Sequence, residues 1–359
     1  MKTMQHIADG ENATKKNFSD LTYRLMQRYY LRNAVLLMRV FFFFYVTIVF
    51  TGCTGGGIEE PEQDEEDEIT LEYLADESGL PNTYINDIAI GTYGDVLIAT
   101  NGGLAVISDS IITSYDQESP LPNLEVICVA LDALDRVWVG TESGAARLSP
   151  SGEWRVYGLQ DGLAGPIVYD ILCDNIGRLW LSTNGGLNMV DGDSLVTVTD
   201  NEIAGNAIYA SAVNWMNTLW FATNEGVKTF NDSVWVTLAD EDQPSGTIRV
   251  LERDFTGNIL VGTSEGFFIW NGERLSRYTE EQSLSGNDVR DIAPDGRSGY
   301  WIATANGLDR MRVSAEGFSI ETIQTQIGDL GYNTVAVDRR GRLWFGTPLG
   351  VGIREWSIP

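Results

Sequence analysis

A spacing of about 41 residues runs through this sequence and constrains its fold more than any other feature. Thr100, Thr141, Thr183, Thr223, Thr263, Thr304 and Thr347 follow one another at steps of 41, 42, 40, 40, 41 and 43 residues. Around each threonine the same residue types recur at fixed offsets. Three positions later stands a glycine in every unit: Gly103, Gly144, Gly186, Gly226, Gly266, Gly307 and Gly350. One position earlier the residue is small: Ala99, Gly140, Ser182, Ala222, Gly262, Ala303 and Gly346. Three positions earlier, Trp138, Trp180, Trp220, Trp301 and Trp344 alternate with Leu97 and Leu260. Nine positions earlier stand Asp132, Asp174, Asp254, Asp295 and Asp338, with Gly91 and Asn214 in the two other units. A fixed period of this length marks a repeat architecture, in which each unit buries its apolar face against its neighbours.

Each unit reads as four short strands. In the third they are PIVYDILCD, RLWLST, GLNMVD and SLVTV, separated by the turn sequences DNIG and DGD. An aspartate can close such a turn with its own side chain. A glycine supplies the left-handed residue where a Cβ would be strained. The small residue lets adjacent sheets approach, and the tryptophan fills the wedge between them. The pattern predicts an all-β, seven-bladed β-propeller of four-stranded antiparallel blades. The last unit ends at VGIREWSIP without a fourth strand, whereas EITLEYL before the first unit has that pattern. Residues 68–74 are therefore expected to complete the last blade, giving a propeller over 68–359.

Three stretches carry a resemblance to a known family: Ser78–Leu104 (SGLPNTYINDIAIGTYGDVLIATNGGL), Asp161–Leu187 (DGLAGPIVYDILCDNIGRLWLSTNGGL) and Asn333–Val351 (NTVAVDRRGRLWFGTPLGV). They resemble two-component regulator propeller repeats, whose pattern is G-L-P, a valine or isoleucine, then D-x-x-G-x-L-W-x-G-T-x-x-G-L. The resemblance covers residues 76–353. Gly91, Asn214 and Leu260 depart from it. It implies a seven-bladed sensor propeller of the kind found outside the cytoplasm in hybrid histidine kinases, many of which respond to oligosaccharides. No second apolar span and no kinase segment accompanies the repeats here. The expectation is a stand-alone propeller, with no signalling carried over.

Ahead of the repeats lies a different kind of sequence. Residues 40–50, VFFFFYVTIVF, follow Arg24, Arg28, Arg32 and Arg39 and precede Thr51-Gly52-Cys53. A basic region, a short apolar run and small residues before a cysteine resemble a bacterial lipoprotein signal. The resemblance implies cleavage of residues 1–52 and lipidation of Cys53. Phe50 stands where that family usually has leucine, and Met26 and Met38 are alternative starts. The run is short for a transmembrane helix, which needs about 20 apolar residues. An uncleaved N-terminal anchor is the other reading. Residues 53–67 (CTGGGIEEPEQDEED) lack core-forming residues and read as a flexible acidic tether. This tether resembles the acidic stretch that sends some Bacteroidetes lipoproteins to the cell surface. The expected location is the outer membrane or cell surface, or its periplasmic face.

Charge narrows the partners. The chain holds 51 Asp and Glu against 24 Lys and Arg, a net charge of −27. Such a surface repels phosphate backbones, so no nucleic acid is expected. The only lysine beyond residue 52 is Lys228, and the only histidine in the chain is His6. Acidic, lysine-poor surfaces are also a feature of proteins from salty habitats.

The search for chemistry is short. Without a histidine after residue 6, His-based acid–base catalysis, serine triads and His-ligated metals have no donor. The same lack argues against antibiotic-opening propeller lyases. Cys128 and Cys173 fall at different positions of the repeat, which favours buried free thiols over a disulfide. The aspartate column reads as turn-closing, and Asp191–Asp193 as a hairpin turn. No carboxylate pair stands apart from these turns. No metal and no cofactor are expected.

Propellers bind ligands at the mouth of the central channel, which the first strand of each blade lines. Fourteen positions before each threonine that strand carries Asn86, Ile127, Tyr169, Tyr209, Arg249, Arg290 and Asn333. Asn86, Tyr169, Tyr209, Arg249, Arg290 and Asn333 are the candidate site, by stacking and hydrogen bonding to a sugar or an acidic ligand. The bland alternative is that they only solvate the channel wall. Tyr84 and Tyr332 are candidates at loop tips. The reading that follows is a non-catalytic binding propeller with an oligosaccharide or an envelope protein as partner and a membrane contact through the lipid anchor. A structural scaffold of an outer-membrane complex is the alternative. A carboxylate enzyme acting on polysaccharide is the weaker one.

Overall fold

A computed structural model of the chain describes residues 71–74, 78–297, 299–314, 317–323 and 331–355. The lipoprotein-like leader, Cys53 and the acidic tether lie outside the described residues. Residues 67–359 form one compact unit, and it contains every strand of the ring.

Seven four-stranded antiparallel sheets follow one another along the chain. In the third blade the strands are Val168–Cys173, Leu179–Thr183, Gly186–Asp191 and Ser194–Thr197. The seventh blade takes its first three strands from Thr334–Val337, Leu343–Thr347 and Gly350–Arg354, and its fourth from Leu71–Leu74. That closing strand pairs Leu71 with Arg354 and Leu74 with Val351. The expected strand over 68–74 is thus observed at 71–74. The helical pieces described are short 3₁₀ turns, among them Leu159–Asp161, Asp240–Asp242 and Glu280–Gln282. None is long and apolar enough to cross a membrane.

The repeat columns each have a physical task. Every threonine hydroxyl donates to the carbonyl of the glycine three residues on, at 2.7–3.1 Å. It also accepts the backbone N–H two residues on. One side chain thereby closes the turn between second and third strands. Six of the seven glycines have φ between 108° and 146°, where a Cβ is strained. Gly307 is the exception in φ, yet its carbonyl still accepts the Thr304 hydroxyl as well as the Thr304 N–H.

The aspartate column closes the turn between first and second strands, as expected. Oδ1 of Asp174 accepts the N–H groups of Ile176 and Arg178, while Oδ2 accepts Arg178 Nε at 2.6 Å and Trp180 Nε1 at 3.2 Å. Asp132 and Asp338 repeat this set with Trp138 and Trp344. Burial alone would raise these carboxyls. The hydrogen bonds from indole and guanidinium outweigh it and hold them below the ordinary carboxylate range.

The core is divided among the seven junctions between blades. Trp138 packs against Val168, Ile171 and Leu181 of the next blade, and Trp344 against Ile85, Ile88 and Ile98 of the first. The five tryptophans are 0–7% exposed, and burying each contributes a few kcal/mol. The asparagine that replaces aspartate in the fourth blade leaves a gap in this scheme. Asn214 Oδ1 accepts the N–H groups of Met216 and Thr218 as its counterparts do. It has no second carboxylate oxygen to offer, and the buried Trp220 Nε1 has no hydrogen-bond partner. Asn214→Asp should therefore stabilise the protein by about 1 kcal/mol, read as a higher urea midpoint at unchanged slope. A lower midpoint would refute the assignment of that carboxylate oxygen to the indole.

Candidate functional site

Five of the six candidate residues, all but Asn333, are brought to the channel by a fault repeated in the sheets. In the first blade Ile85 pairs with Thr100 and Asp87 with Ala99, so Asn86 has no partner across the strand. The same interruption falls at Ile127, Tyr169, Tyr209, Arg249 and Arg290. A bulge inserts one residue and breaks the alternation of side chains between faces. Two successive residues of the first strand consequently face the channel in six blades, and in the seventh Asn333, just ahead of its strand, and Thr334 do so. The cavity there, of about 700 Å³, is lined by Asn86 and Asp87, Tyr169 and Asp170, Tyr209 and Ala210, Arg249 and Val250, Arg290 and Asp291, Asn333 and Thr334. Ile127 and Cys128 complete the ring, with Tyr84 and Asp288 also lining it.

The upper layer is divided between aromatic and polar sectors. Tyr169 and Tyr209, on neighbouring blades, hold their rings 5.4 Å apart and tilted by 47°. On later blades the guanidiniums are tied into a belt. Arg249 Nε donates to Asp288 Oδ1 at 2.6 Å, and Arg290 Nε lies 3.5 Å from Asp288 Oδ2. Arg290 Nη1 donates to Asn333 Oδ1 at 2.7 Å, and Asn333 Nδ2 donates to the carbonyl of Ile85 at 2.8 Å. Asn86 Nδ2 donates to Val126 O and Asn101 Oδ1, both at 2.8 Å. Arg249 and Arg290 keep 42% and 31% of their side-chain surface exposed. Guanidinium edges and tyrosine rings are thus offered to the cavity from a belt already fixed in place.

Below lies a layer that the sequence reading missed. Asp87, Asp170 and Asp291 each reach across a blade junction. Asp87 Oδ2 accepts the N–H of Val129 at 2.8 Å. Asp170 Oδ2 accepts the N–H and hydroxyl of Ser211, both at 2.6 Å. Asp291 Oδ2 accepts the Val335 N–H and the Thr334 hydroxyl, both at 2.8 Å. In all three, Oδ1 accepts the N–H of the next residue in the chain. These carboxylates stand apart from the turn aspartates, contrary to expectation. Each oxygen already accepts a hydrogen bond, so their geometry is that of staples between blades.

Burial in the channel wall pushes Asp87 and Asp291 up to about 7, against hydrogen bonds that lower them. The Asp291 charge raises Asp87 further. Glu252 is also raised to about 7, mainly by burial. Asp170 is raised for the same reason. Cys128 occupies the equivalent place in the second blade, with Sγ 3.8 Å from the carbonyl of Val168, and burial pushes its thiol well up. Cys128 and Cys173 are both free. Tyr84 stands 39% exposed at the cavity rim, whereas Tyr332 is 4% exposed and packs edge-on to Phe345 at 5.5 Å. Tyr332 is therefore a core residue rather than a loop-tip binding residue. Among the described residues no group of three or more His, Cys, Asp or Glu is arranged to hold a metal ion.

Fold and site together define a seven-bladed propeller whose channel mouth is lined by paired residues from every blade. Residues 162–185, which run through the first two strands of the third blade, match the model of the two component regulator propeller family. The chain carries this repeat, here as one of seven blades. No curated protein matches the chain. Among solved structures it is similar to the extracellular domain of BT3049 from B. thetaiotaomicron, a protein classed as a hybrid two component system. That likeness has 20% identity and a TM-score of 0.68, over 81% of this chain and 42% of the other. It is also similar to a catalytically inactive histidine-to-alanine variant of virginiamycin B lyase from Staphylococcus aureus, solved with quinupristin (16% identity, TM-score 0.65, 81% and 100% covered). A third is PorZ, a surface component of the type-IX secretion system of Porphyromonas gingivalis (16% identity, TM-score 0.58, 80% and 39% covered). At these identities the likeness is one of fold.

The channel carboxyls fix the sign of the pH dependence. Their folded pKa lies above the unfolded values of 3.8 for aspartate and 4.5 for glutamate, so the folded ring holds these protons more tightly. Their contribution is complete below those unfolded values and is lost as pH rises through about 7. The turn aspartates are depressed and act oppositely, costing stability as pH falls below 3.8. The thermal midpoint should peak at about pH 4–5 and decline toward pH 8. Asp87→Asn with Asp291→Asn should flatten the decline. A profile already flat between pH 5 and 8 would contradict the burial of these groups.

Proposed function

We propose that this protein is a non-catalytic, extracytoplasmic binding propeller that takes an oligosaccharide at its channel mouth and is held to a membrane through Cys53. The observation that carries the reading is the gathering of Tyr169 and Tyr209 with Arg249, Arg290, Asn86 and Asn333 around one cavity. Sugars present apolar ring faces bounded by hydroxyls. Tyrosine rings stack on the faces, while guanidiniums and amides hydrogen-bond the hydroxyls. The volume of about 700 Å³ falls within the range of small-ligand sites. The repeat family supports a sensing role, and the extracellular domain among the structural relatives supports a place outside the cytoplasm.

Three observations support binding without turnover. The chain has no histidine after His6, whereas the S. aureus lyase is inactive as its histidine-to-alanine variant. Both oxygens of Asp87, Asp170 and Asp291 are already engaged. Buried Asp132, Asp174, Asp254 and Asp338 close turns, and both oxygens of buried Asp309 accept hydrogen bonds from Ser285 and Thr322.

The reading is tested on an oligosaccharide array, followed by calorimetry on any sugar retained. Tyr169→Ala with Tyr209→Ala should weaken binding roughly tenfold or more, given about 0.5–1.5 kcal/mol for each aromatic contact. Adding Arg290→Ala should abolish it. Unchanged affinity in the triple variant would remove the channel site. Release of reducing sugar from a bound oligosaccharide would overturn the non-catalytic part.

A further inference from the structure

The face of the ring opposite the cavity mouth has a composition of its own. Its inner part is built from the turns that join first and second strands, whose tips fall seven and eight positions before each threonine, and its outer rim from the hairpins between third and fourth strands, which carry the exposed Asp109, Glu153, Asp191, Asp193, Asp232 and Glu273. In five successive blades these tips are Tyr93, Leu134, Ile176, Trp215 with Met216, and Phe255, and they are 48–85% exposed. The last two blades place Arg297, Arg339 and Arg340 there, all exposed. No acidic residue occupies either tip position in any blade, in a chain of net charge −27.

Single exposed apolar residues are ordinary on a protein surface, but a contiguous apolar patch is not. From the third blade to the fifth the turns are joined to one another. Asn175 Nδ2 donates to Asn214 O at 2.6 Å, Trp215 Nε1 donates to Phe255 O at 3.1 Å, and the Arg253 guanidinium lies 3.8 Å from the centre of the Trp215 ring. The arc of apolar tips spans five blades, and the arginines complete the circle.

The chain enters the ring on this same face. Leu71, the first residue of the closing strand, pairs with Arg354, which pairs in turn with Leu343. Leu343 directly follows the turn that carries Arg339 and Arg340. Eighteen residues separate Leu71 from Cys53, a reach of at most about 60 Å at full extension.

We infer that this face docks onto a lipid bilayer bearing anionic headgroups. The apolar tips enter the interfacial region, where tryptophan and tyrosine are at home, and the arginines pair with headgroup phosphates. The cavity mouth is then turned away from the membrane. The inference adds an orientation to the anchoring reading and does not depend on what the cavity binds.

The test uses residues 67–359, the compact unit that contains the whole ring, so that no anchor contributes. Flotation with phosphatidylglycerol–phosphatidylcholine vesicles should show binding that falls as salt is raised. Ile176→Ser with Met216→Ser, and separately Arg339→Glu with Arg340→Glu, should each lower the floated fraction roughly tenfold. Circular-dichroism melts should stay unchanged, because all four side chains are exposed. No flotation at low salt, or both variants floating like the parent, would overturn the inference. So would a photo-crosslinker at position 216 of the full chain that captures a protein rather than lipid.

Discussion

How closely one sheet can approach the next decides everything else in this ring. A Cβ on Gly140 would lie 2.5 Å from Cys128 Sγ and 2.8 Å from Val168 Cγ1 of the next blade, and Gly346 meets Ile85 in the same way. These small residues set the inner contact. The tryptophans two positions before them set the outer one, filling the space that opens between sheets as they diverge from the axis. A narrow inner edge and a wide outer wedge, repeated seven times, produce the angle that closes the circle. They also fix the channel width, and with it the distance at which Tyr169 meets Tyr209 and Arg290 meets Asn333.

Most of this was legible in the sequence because the repeat supplies seven readings of each column. Thr183 alone says little, whereas seven threonines with glycine three residues later specify a turn. The borrowed strand was legible because LEYL, ahead of the first unit, has the pattern of a fourth strand and no first three strands of its own. The upper layer of the site could be read because Asn86, Tyr169, Arg249 and their equivalents are polar in an otherwise apolar strand. The lower layer could not. Strict alternation would send Asp87, Asp170 and Asp291 to the face opposite their neighbours, and only the bulge brings both into the channel. The available signal was an aspartate inside a strand, in NDI, YDI and RDI, with no turn nearby to explain it.

Polar and charged residues are distributed with a plain division of labour. Asp132, Asp174 and Asp338 face indoles and guanidiniums, which hold them below the ordinary carboxylate range. The channel aspartates face backbone N–H groups in a confined space and are raised. Arginine is scarce, so where it clusters matters. It lines one sector of the cavity mouth, sits over the rings of Trp138, Trp180, Trp301 and Trp344 at 5.1–5.8 Å, and gathers on the opposite face beside the entry of the chain. Exposed carboxylates rim that face at the hairpins between third and fourth strands, among them Asp109, Asp191, Asp193, Asp232 and Glu273.

The closing strand also settles how the ring carries load. Tension on the chain ahead of Leu71 enters the ring at one place, the four paired residues Leu71–Leu74 against Val351–Arg354. The pull runs along the strand axis, so these pairs are sheared together rather than unzipped one at a time. If Cys53 holds the protein to a membrane, a force that drags the body away is borne first by the seam that keeps the circle shut. Detachment and ring opening then compete at the same few hydrogen bonds. The apolar tips and arginines on that face would relieve the seam by sharing the load with the lipid.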